Sequence, residues 1–457
     1  MCSFTSPLTY LCNHLMYSRQ QTAISGEKKV TRKVNLFHIS ILIIGSILLY
    51  WPVYTFDFLI GWDDQWFVTN RYTENGLNWQ NFYDILSHFH YGQYAPVNQL
   101  YYTILYTLFG YNSSYFHMAS FMLHFINSIL IYLLIIITCK FMLGEKSNVR
   151  INVLSFLTAF MFAILPINVE PVAWISASKV LLYALFYLMA LLSYCFYMLK
   201  LHSIYFYLTI IFFVISFGCK EQAVVLPLCL ILFDYLFGRN LKQWTIWLEK
   251  LPFFMLALFF GVVTIQSQEL EYGARSFYPI IERIPLSAYT LIEYLTKSLI
   301  PINLSYLYPF PFLNGEPMPW WLLIYVIVIP AIIFCFYEYL RFKWVVFGAF
   351  IFIIHTVLVL NLFSLARFSI IADRYAYLAA IGPCFILSYI VMVKLRRGTK
   401  KNKAFVMTAT SISLYFLLLA WYSQSHLTTW KNTYSLKERL KKIIEERKDF
   451  DDIKKFK

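Results

Sequence analysis

The sequence predicts an all-α polytopic membrane protein of about eleven transmembrane helices. Three observations carry this. The chain is 60% hydrophobic and only 14% charged, whereas a soluble chain carries about a quarter charged residues. It contains several long, nearly uncharged apolar runs of the length that crosses a bilayer. Short basic segments recur between those runs, as they do on the cytoplasmic face of membrane proteins.

Residues 1–35 are polar and mixed, too long a stretch before the first apolar run for an ordinary signal peptide, and read as a cytoplasmic disordered lead-in. Apolar runs place crossings at about 36–56, 115–139, 151–166, 177–199, 202–219, 221–237, 251–268, 320–340, 343–364, 375–394 and 404–422. Residues 36–422 then form one transmembrane domain. With the N-terminus inside, the basic clusters at Lys28–Lys33, Lys140–Arg150, Arg239–Lys250, Arg341–Lys343 and Lys394–Lys401 all fall on the cytoplasmic side.

Three segments become external: 57–114, 269–319 and the charged tail 423–457. Residues 98–110 are apolar, rich in Tyr and too short to span, which suits an interfacial helix. Residues 287–300 look similar, with Glu293 and Lys297 four apart on one face. In the tail, Leu436, Leu440, Ile443 and Ile444 form a helical stripe among charges.

The net charge of +14 would suggest nucleic acid in a soluble chain, but its confinement to short loops makes it a topology signal. The eight cysteines form no CxxC pair and lie in or beside apolar runs or near the N-terminus, where they serve as small apolar residues. No Walker loop, GxSxG elbow or HExxH pair is present.

Candidate chemistry begins where the first crossing exits, at Gly61-Trp62-Asp63-Asp64-Gln65-Trp66. A carboxylate there can take a proton from an acceptor hydroxyl. Two adjacent acids can also separate in pKa or share a metal ion. The plainer reading is a solvated turn that ends the helix. Further ionisable residues gather at the same external level: Glu170, Lys179, Lys220 with Glu221, and Asp373 with Arg374. An ionisable group at the bilayer centre costs about 2.5–3.5 kcal/mol, and less near the interface. These groups therefore pair with one another or face a wet cavity. External Lys and Arg suit a phosphate or pyrophosphate headgroup; the plainer reading pairs Lys220 with a neighbouring acid and Asp373 with Arg374.

Other residues are weaker candidates. His117 and His124 can share a helix face, where such side chains usually hydrogen-bond a neighbouring helix. Asp234 sits at a cytoplasmic helix end and suits packing or topology, and His355 is isolated in mid-span. His88 and His90 could share a metal if extended, but no third ligand stands at matching spacing.

With these residues in hand, the chain resembles the GT-C-type polyprenyl-phosphate-sugar-dependent glycosyltransferases. It is most similar to the membrane domain of the transmembrane-and-tetratricopeptide protein O-mannosyltransferases and their bacterial relatives. The resemblance covers roughly residues 55–435 and rests on ordered blocks. These are Trp62-Asp63-Asp64, Tyr94-Ala95-Pro96-Val97-Asn98-Gln99-Leu100, Leu108-Phe109-Gly110-Tyr111-Asn112 and Phe116-His117. Then follow Leu165 through Ser176 with Lys179, Lys220-Glu221-Gln222 before Leu226-Pro227, Pro309-Phe310-Pro311, and Ala372-Asp373-Arg374-Tyr375-Ala376-Tyr377-Leu378.

The resemblance implies a GT-C-like architecture that moves a sugar from a polyprenyl-phosphate donor to an acceptor hydroxyl, with inversion. The site would face the periplasm or exterior from a bacterial inner membrane, or the lumen from the ER membrane. Asp63 would be the catalytic base with Asp64 its close helper, and Lys179, Lys220 and Arg374 would hold the departing phosphate. Glu170, Glu221, Asp373 and His117 stand as supporting or substrate-binding residues. One base and a stabilised leaving group suffice for this route, unlike the paired carboxylates of glycoside hydrolysis. The lipid-linked sugar is the donor substrate, no particular cofactor is implied, and metal dependence stays open. Membrane lipids are expected partners and nucleic acid is not.

The chain departs from the family pattern at four positions. Ala95 stands where relatives often carry His or Arg, Leu165 and Asn168 where they carry His, and Val180 where they carry Asp. The tail from Trp430 to Leu440 resembles only the junction that leads into a tetratricopeptide array. A protein, glycan or lipid acceptor is therefore equally open. Two other classes stand beside the enzyme. A transporter or flippase of a lipid-linked intermediate would place polar residues near the midplane of repeated halves, but here they cluster at external ends. A catalytically inactive scaffold could keep the same fold.

Overall fold

A computed structural model describes residues 28–143, 148–272, 278–312, 315–362, 369–397 and 403–445. Among these residues the regular structure is helical, apart from an isolated bridge between His90 and Gln93. Each apolar run carries a helix. These are α1 (Lys28–Tyr50), α2 (Ser113–Leu143), α3 (Asn148–Ile164), α4 (Ser178–Lys200), α5 (Ser203–Cys219) and α6 (Leu226–Leu236). They continue as α7 (Trp244–Tyr272), α8 (Leu322–Phe336), α9 (Lys343–Thr356), α10 (Ile381–Arg397) and α11 (Lys403–Leu427).

Six helical segments among the described residues are long and apolar enough to cross a membrane. A seventh crossing is available if Arg150–Ile164 and Pro166–Ala173, bent by 56°, act together. The bend falls at Pro166, which cannot donate a backbone hydrogen bond and biases Leu165 to its extended conformation (ψ 126°).

Several boundaries differ from the sequence expectation. The part of the lead-in from Lys28 is helical, while residues 1–27 lie outside the described residues. The helix expected from 343 stops at Thr356 and tightens to a 3₁₀ turn at Val357–Val359; residues 363–364 lie outside the described residues. The helix expected from 375 starts only at Ile381, because Asp373–Ala376 form a 3₁₀ turn whose side chains are committed elsewhere. Of the basic cluster Lys394–Lys401, residues 398–401 lie outside the described residues.

The core centres on α4, which is buried along most of its length. It doubles back into α5 through Leu201, a left-handed residue that ends the helix (φ 52°). Ser216 of α5 donates to the Tyr183 carbonyl at 2.9 Å. Polar side chains join other helices to this centre. His124 of α2 meets the Tyr377 hydroxyl at 2.8 Å and the Ala163 carbonyl at 3.0 Å, and Asn127 donates to the Leu181 carbonyl at 2.9 Å. Such contacts replace the hydrophobic drive that lipid cannot supply. α9 and α10 cross at Gly348 and Gly382, where a Cβ on Gly382 would collide with the Gly348 carbonyl. α8 and α11 turn most of their apolar side chains outward.

The two ends of the bundle differ. At one end Asp234 sits fully buried between Arg239 (3.0 Å), Lys250 (2.9 Å) and the Tyr194 hydroxyl, and Glu249 pairs with both cations. Two acids and two bases thus neutralise one another, the condition for keeping charge in a core. At this end Lys343 also donates to the Leu236 carbonyl at 2.7 Å, so α6 ends where α9 begins. Between these two helices runs an apolar groove lined by Leu228, Ile231, Tyr235, Val346, Phe350 and Ile354. Helix α9 also packs against the turns Glu221–Val225 and Asp373–Ala376, at the opposite end of the bundle.

At that opposite end, helices form at Pro96–Phe109 and Ile280–Leu299, and Glu293 and Lys297 lie 3.8 Å apart as their spacing suggests. The tail helix Thr433–Glu445 buries Leu436 and Leu440. It lies against the first loop: Asp57 N–H donates to the Lys431 carbonyl and the Thr433 hydroxyl to the Ile60 carbonyl, each at 3.0 Å.

Candidate active site

The short helix Asp63–Phe67 starts after Trp62, whose extended backbone breaks the chain direction. Its two acids have separate fates. Asp64 is fully buried: one carboxylate oxygen accepts the Leu59 N–H at 2.9 Å, the other the Ser176 N–H at 2.9 Å and the Ser176 hydroxyl at 2.5 Å. The carboxylate closes the loop on itself and pins it to the segment before α4. Burial outweighs these three hydrogen bonds and, with some help from the Asp63 charge, raises its pKa to about 6. Three of its acceptor directions are thus spent on holding the loop together.

Asp63 is only half-buried, and among the described residues its carboxylate takes no hydrogen bond and no ion pair. It lies within electrostatic range of Lys179 and of Tyr306. Lys220, Glu221 and Arg374 also lie within electrostatic range of Lys179. The fold thus brings Asp63 and the three sequence-selected cations into one cluster, from four separate segments.

Each cation is held differently. Arg374 is paired with Glu170, which accepts its guanidinium and also its backbone N–H (2.9 Å). Lys220 pairs with Glu221 at 3.3 Å. Lys179 donates to the neutral Gln93 Oε1 at 2.8 Å and lies over the Phe67 ring at 4.7 Å. It is therefore, among these three, the cation without a carboxylate partner. Lys220 and Arg374 share a ring, lying 5.2 and 5.0 Å from the centre of Tyr375. Arg374 also lies over Trp174 at 5.1 Å, within an aromatic wall of Trp62, Trp174, Tyr306 and Trp430.

Two other sequence-selected residues take partners of their own. Asp373 does not pair with Arg374. It accepts the Tyr308 hydroxyl at 2.7 Å and faces His426 at 4.0 Å, and burial holds its carboxyl well above the usual range. His117 does not join the cluster. It sits under the loop, 3.4 Å from the Asp57 carbonyl and edge-on to Phe56. His88 and His90 bond separate backbone carbonyls, of Asp84 and Trp66, both at 3.0 Å.

Sequence reasoning assigned no role to Gln93, Ser176, Tyr306 or Tyr375. Tyr375 follows Arg374 directly and Ser176 lies three residues before Lys179, so proximity to selected cations was their signal. Gln93 and Tyr306 had none, since only the fold brings them in. Compared with known proteins, the chain matches no family model and no curated sequence.

Proposed function

We propose that this protein is a membrane glycosyltransferase that moves a sugar from a polyprenyl-phosphate donor to an acceptor hydroxyl, with inversion. The observation that carries the reading is Asp63, a half-buried carboxylate with no partner among the described residues, within electrostatic range of Lys179, which also lies within range of Lys220 and Arg374. In this reading the acceptor hydroxyl gives its proton to Asp63 as its oxygen attacks the anomeric carbon. The bond from that carbon to the phosphate oxygen breaks, and its electron pair stays on the phosphate. Polyprenyl phosphate leaves as an anion held by the cations, and Asp63 releases the proton to water.

The apolar groove between α6 and α9 supports the same reading, because α9 also packs against the turn that follows Lys220 and the turn that carries Arg374. It suits an isoprenoid chain whose phosphate reaches those cations. We further read eleven crossings. The six long segments, the bent pair, the shorter apolar helices at Ser203–Cys219, Lys343–Val359 and Ile381–Leu395, and the segment Glu221–Leu236 supply them. The Asp63 end then faces the periplasm, exterior or lumen, away from the basic loops.

The test is turnover of a radiolabelled polyprenyl-phosphate sugar by the purified protein in vesicles. Wild type should release polyprenyl phosphate, and Asp63→Asn should abolish release without lowering thermal stability. Full activity of that variant would remove Asp63 as the base. Movement of intact donor across the vesicle, with no sugar released, would mark a transporter instead.

A further inference from the structure

Two acceptor sequences of the form Asn-X-Ser lie in segments that the sidedness proposed above places outside. They are Asn112-Ser113-Ser114 in the first loop and Asn303-Leu304-Ser305 in the second. We propose that Asn303 is a site of N-linked glycosylation, modified on the nascent chain before the second loop folds. The proposal rests on that sidedness and not on the transferase chemistry, and the modifying enzyme is a separate membrane oligosaccharyltransferase.

Geometry separates the two asparagines. Asn112 lies directly before α2, whose apolar crossing segment begins at Ser113, so it is tethered at the membrane surface. Its Oδ1 also accepts the Ser114 N–H at 3.2 Å, at the start of that helix. Asn303 stands apart from both flanking crossings: α7 ends 31 residues before it at Tyr272, and α8 begins 19 residues after it at Leu322. An extended chain of the shorter length reaches about 60 Å, enough to carry the amide clear of the bilayer. The Asn303 side chain is exposed and makes no hydrogen bond among the described residues. Its φ of 53° lies in the left-handed region, which Asn enters more readily than most side chains. The amide nitrogen is therefore open to solvent, and a bulky glycan on it meets no packed neighbour.

The serine of the same triplet fixes the order of events. The modifying enzyme must reach the Asn amide and the hydroxyl two residues on together. In the folded chain that hydroxyl is out of reach. Ser305 is 7% exposed, its Oγ accepts the Leu307 N–H at 3.4 Å, and its own N–H donates to the Tyr308 hydroxyl at 2.8 Å. Tyr308 in turn donates to Asp373, next to Arg374. Between the two, the Leu304 N–H donates to the Tyr422 hydroxyl at 3.1 Å. Tyr422 belongs to α11, the last apolar helix to be made, so the loop takes this form only after that helix is in place. Until then the triplet is free to enter the enzyme. In the transfer, Nδ2 of Asn303 attacks the anomeric carbon of an oligosaccharide carried on a lipid diphosphate. The C–N bond forms as the C–O bond to the diphosphate breaks. The lipid diphosphate leaves with the electron pair, and the amide gives one proton to a base of the enzyme.

The experiment expresses the full chain in cultured eukaryotic cells and treats it with peptide N-glycosidase. Wild type should lose the mass of one glycan. Asn303→Gln and Ser305→Ala should migrate at the deglycosylated position without treatment, whereas Ser305→Thr and Asn112→Gln should keep the glycan. Asn303 is exposed, so its variant folds even if removal of the Ser305 hydroxyl disturbs the loop. Sidedness is read separately by Leu77→Thr in the Asn303→Gln background, which gives Asn75 of the first loop an acceptor triplet. A bare wild type with a glycan on Asn75 overturns the proposal and leaves the sidedness standing; no glycan on either overturns both. A glycan lost through Asn112→Gln overturns the choice of Asn303. For the order of events, an oligosaccharyltransferase inhibitor is present while the chain is translated into microsomes and is then washed out. The completed chain should stay bare, and full glycosylation after washout overturns modification before folding.

Discussion

Asp64 holds Ser176 through both the backbone N–H and the hydroxyl of that serine, at 2.9 and 2.5 Å. This single carboxylate fixes the position of Asp63 relative to α4, where Lys179 stands. Its raised pKa has a defined consequence. The folded value is about 6 against an ordinary 3.8, so the folded state binds the extra proton between those values. Stability from this group is highest below about pH 4 and falls as pH rises to about 6, by about 3 kcal/mol in total. Thermal unfolding from pH 4 to 7 should show this decline, and the difference from Asp64→Asn should isolate it. Identical profiles in the two proteins would remove Asp64 as the titrating group.

Asp64→Asn should also destabilise below about pH 4, where the wild-type carboxyl carries no charge whose removal could offset the change. An amide offers one oxygen where the carboxyl offers two, so either Leu59 or Ser176 faces an NH₂ group. A buried donor left unmatched costs about 1–3 kcal/mol, which a lowered unfolding midpoint would register. Asp63→Asn should leave the midpoint unchanged.

Lys179 separates donor binding from the rest of the site. Because its partner is the neutral Gln93, Lys179→Gln removes a positive charge without orphaning a carboxylate. A charge-assisted hydrogen bond is worth about 1.5–3 kcal/mol, so KM for the polyprenyl-phosphate donor should rise by about ten- to a hundredfold. Lys179→Arg should lie between. An unchanged donor KM in the Gln variant argues against phosphate contact.

Glu170 and Arg374 form the opposite case. Glu170→Gln leaves a buried guanidinium without its counter-ion, at a cost of about 3–5 kcal/mol. The double variant Glu170→Gln with Arg374→Gln should recover part of the lost thermal stability. Additive losses would mean that the two side chains act independently.

Sidedness has its own test. In a Cys335→Ser background, Asn75→Cys and Lys441→Cys should react with an impermeant maleimide from one side of the membrane, and Lys242→Cys from the other. Opposite labelling of residues 75 and 441 contradicts the contacts between the tail and the first loop.

Much of this was legible along the chain. Apolar run length located the helices, and the cost of burying charge singled out Glu170, Lys179, Lys220 and Arg374 before any geometry was known. The division of labour between Asp63 and Asp64 was not legible, because it depends on Ser176, 112 residues further on. The plainer reading of Arg374 paired it with its neighbour Asp373. A side chain adjacent in sequence points elsewhere in a 3₁₀ turn, and the true partner, Glu170, lies 204 residues away. His117 carried no signal to separate it from the cluster, since only the position of the Asp57 carbonyl decides its role.

The hydrogen bond from Asp57 to Lys431 joins the start of the first long loop to the start of the tail. During synthesis the loop emerges early, and its anchor arrives only after the last apolar helix has been inserted. Closing so long a loop is entropically slow, though its cost grows only weakly with length. The pocket around Asp63 therefore cannot be completed on a nascent chain. A protein arrested before residue 431 would sit in the bilayer with most of its helices packed and the surroundings of Asp63 still unassembled.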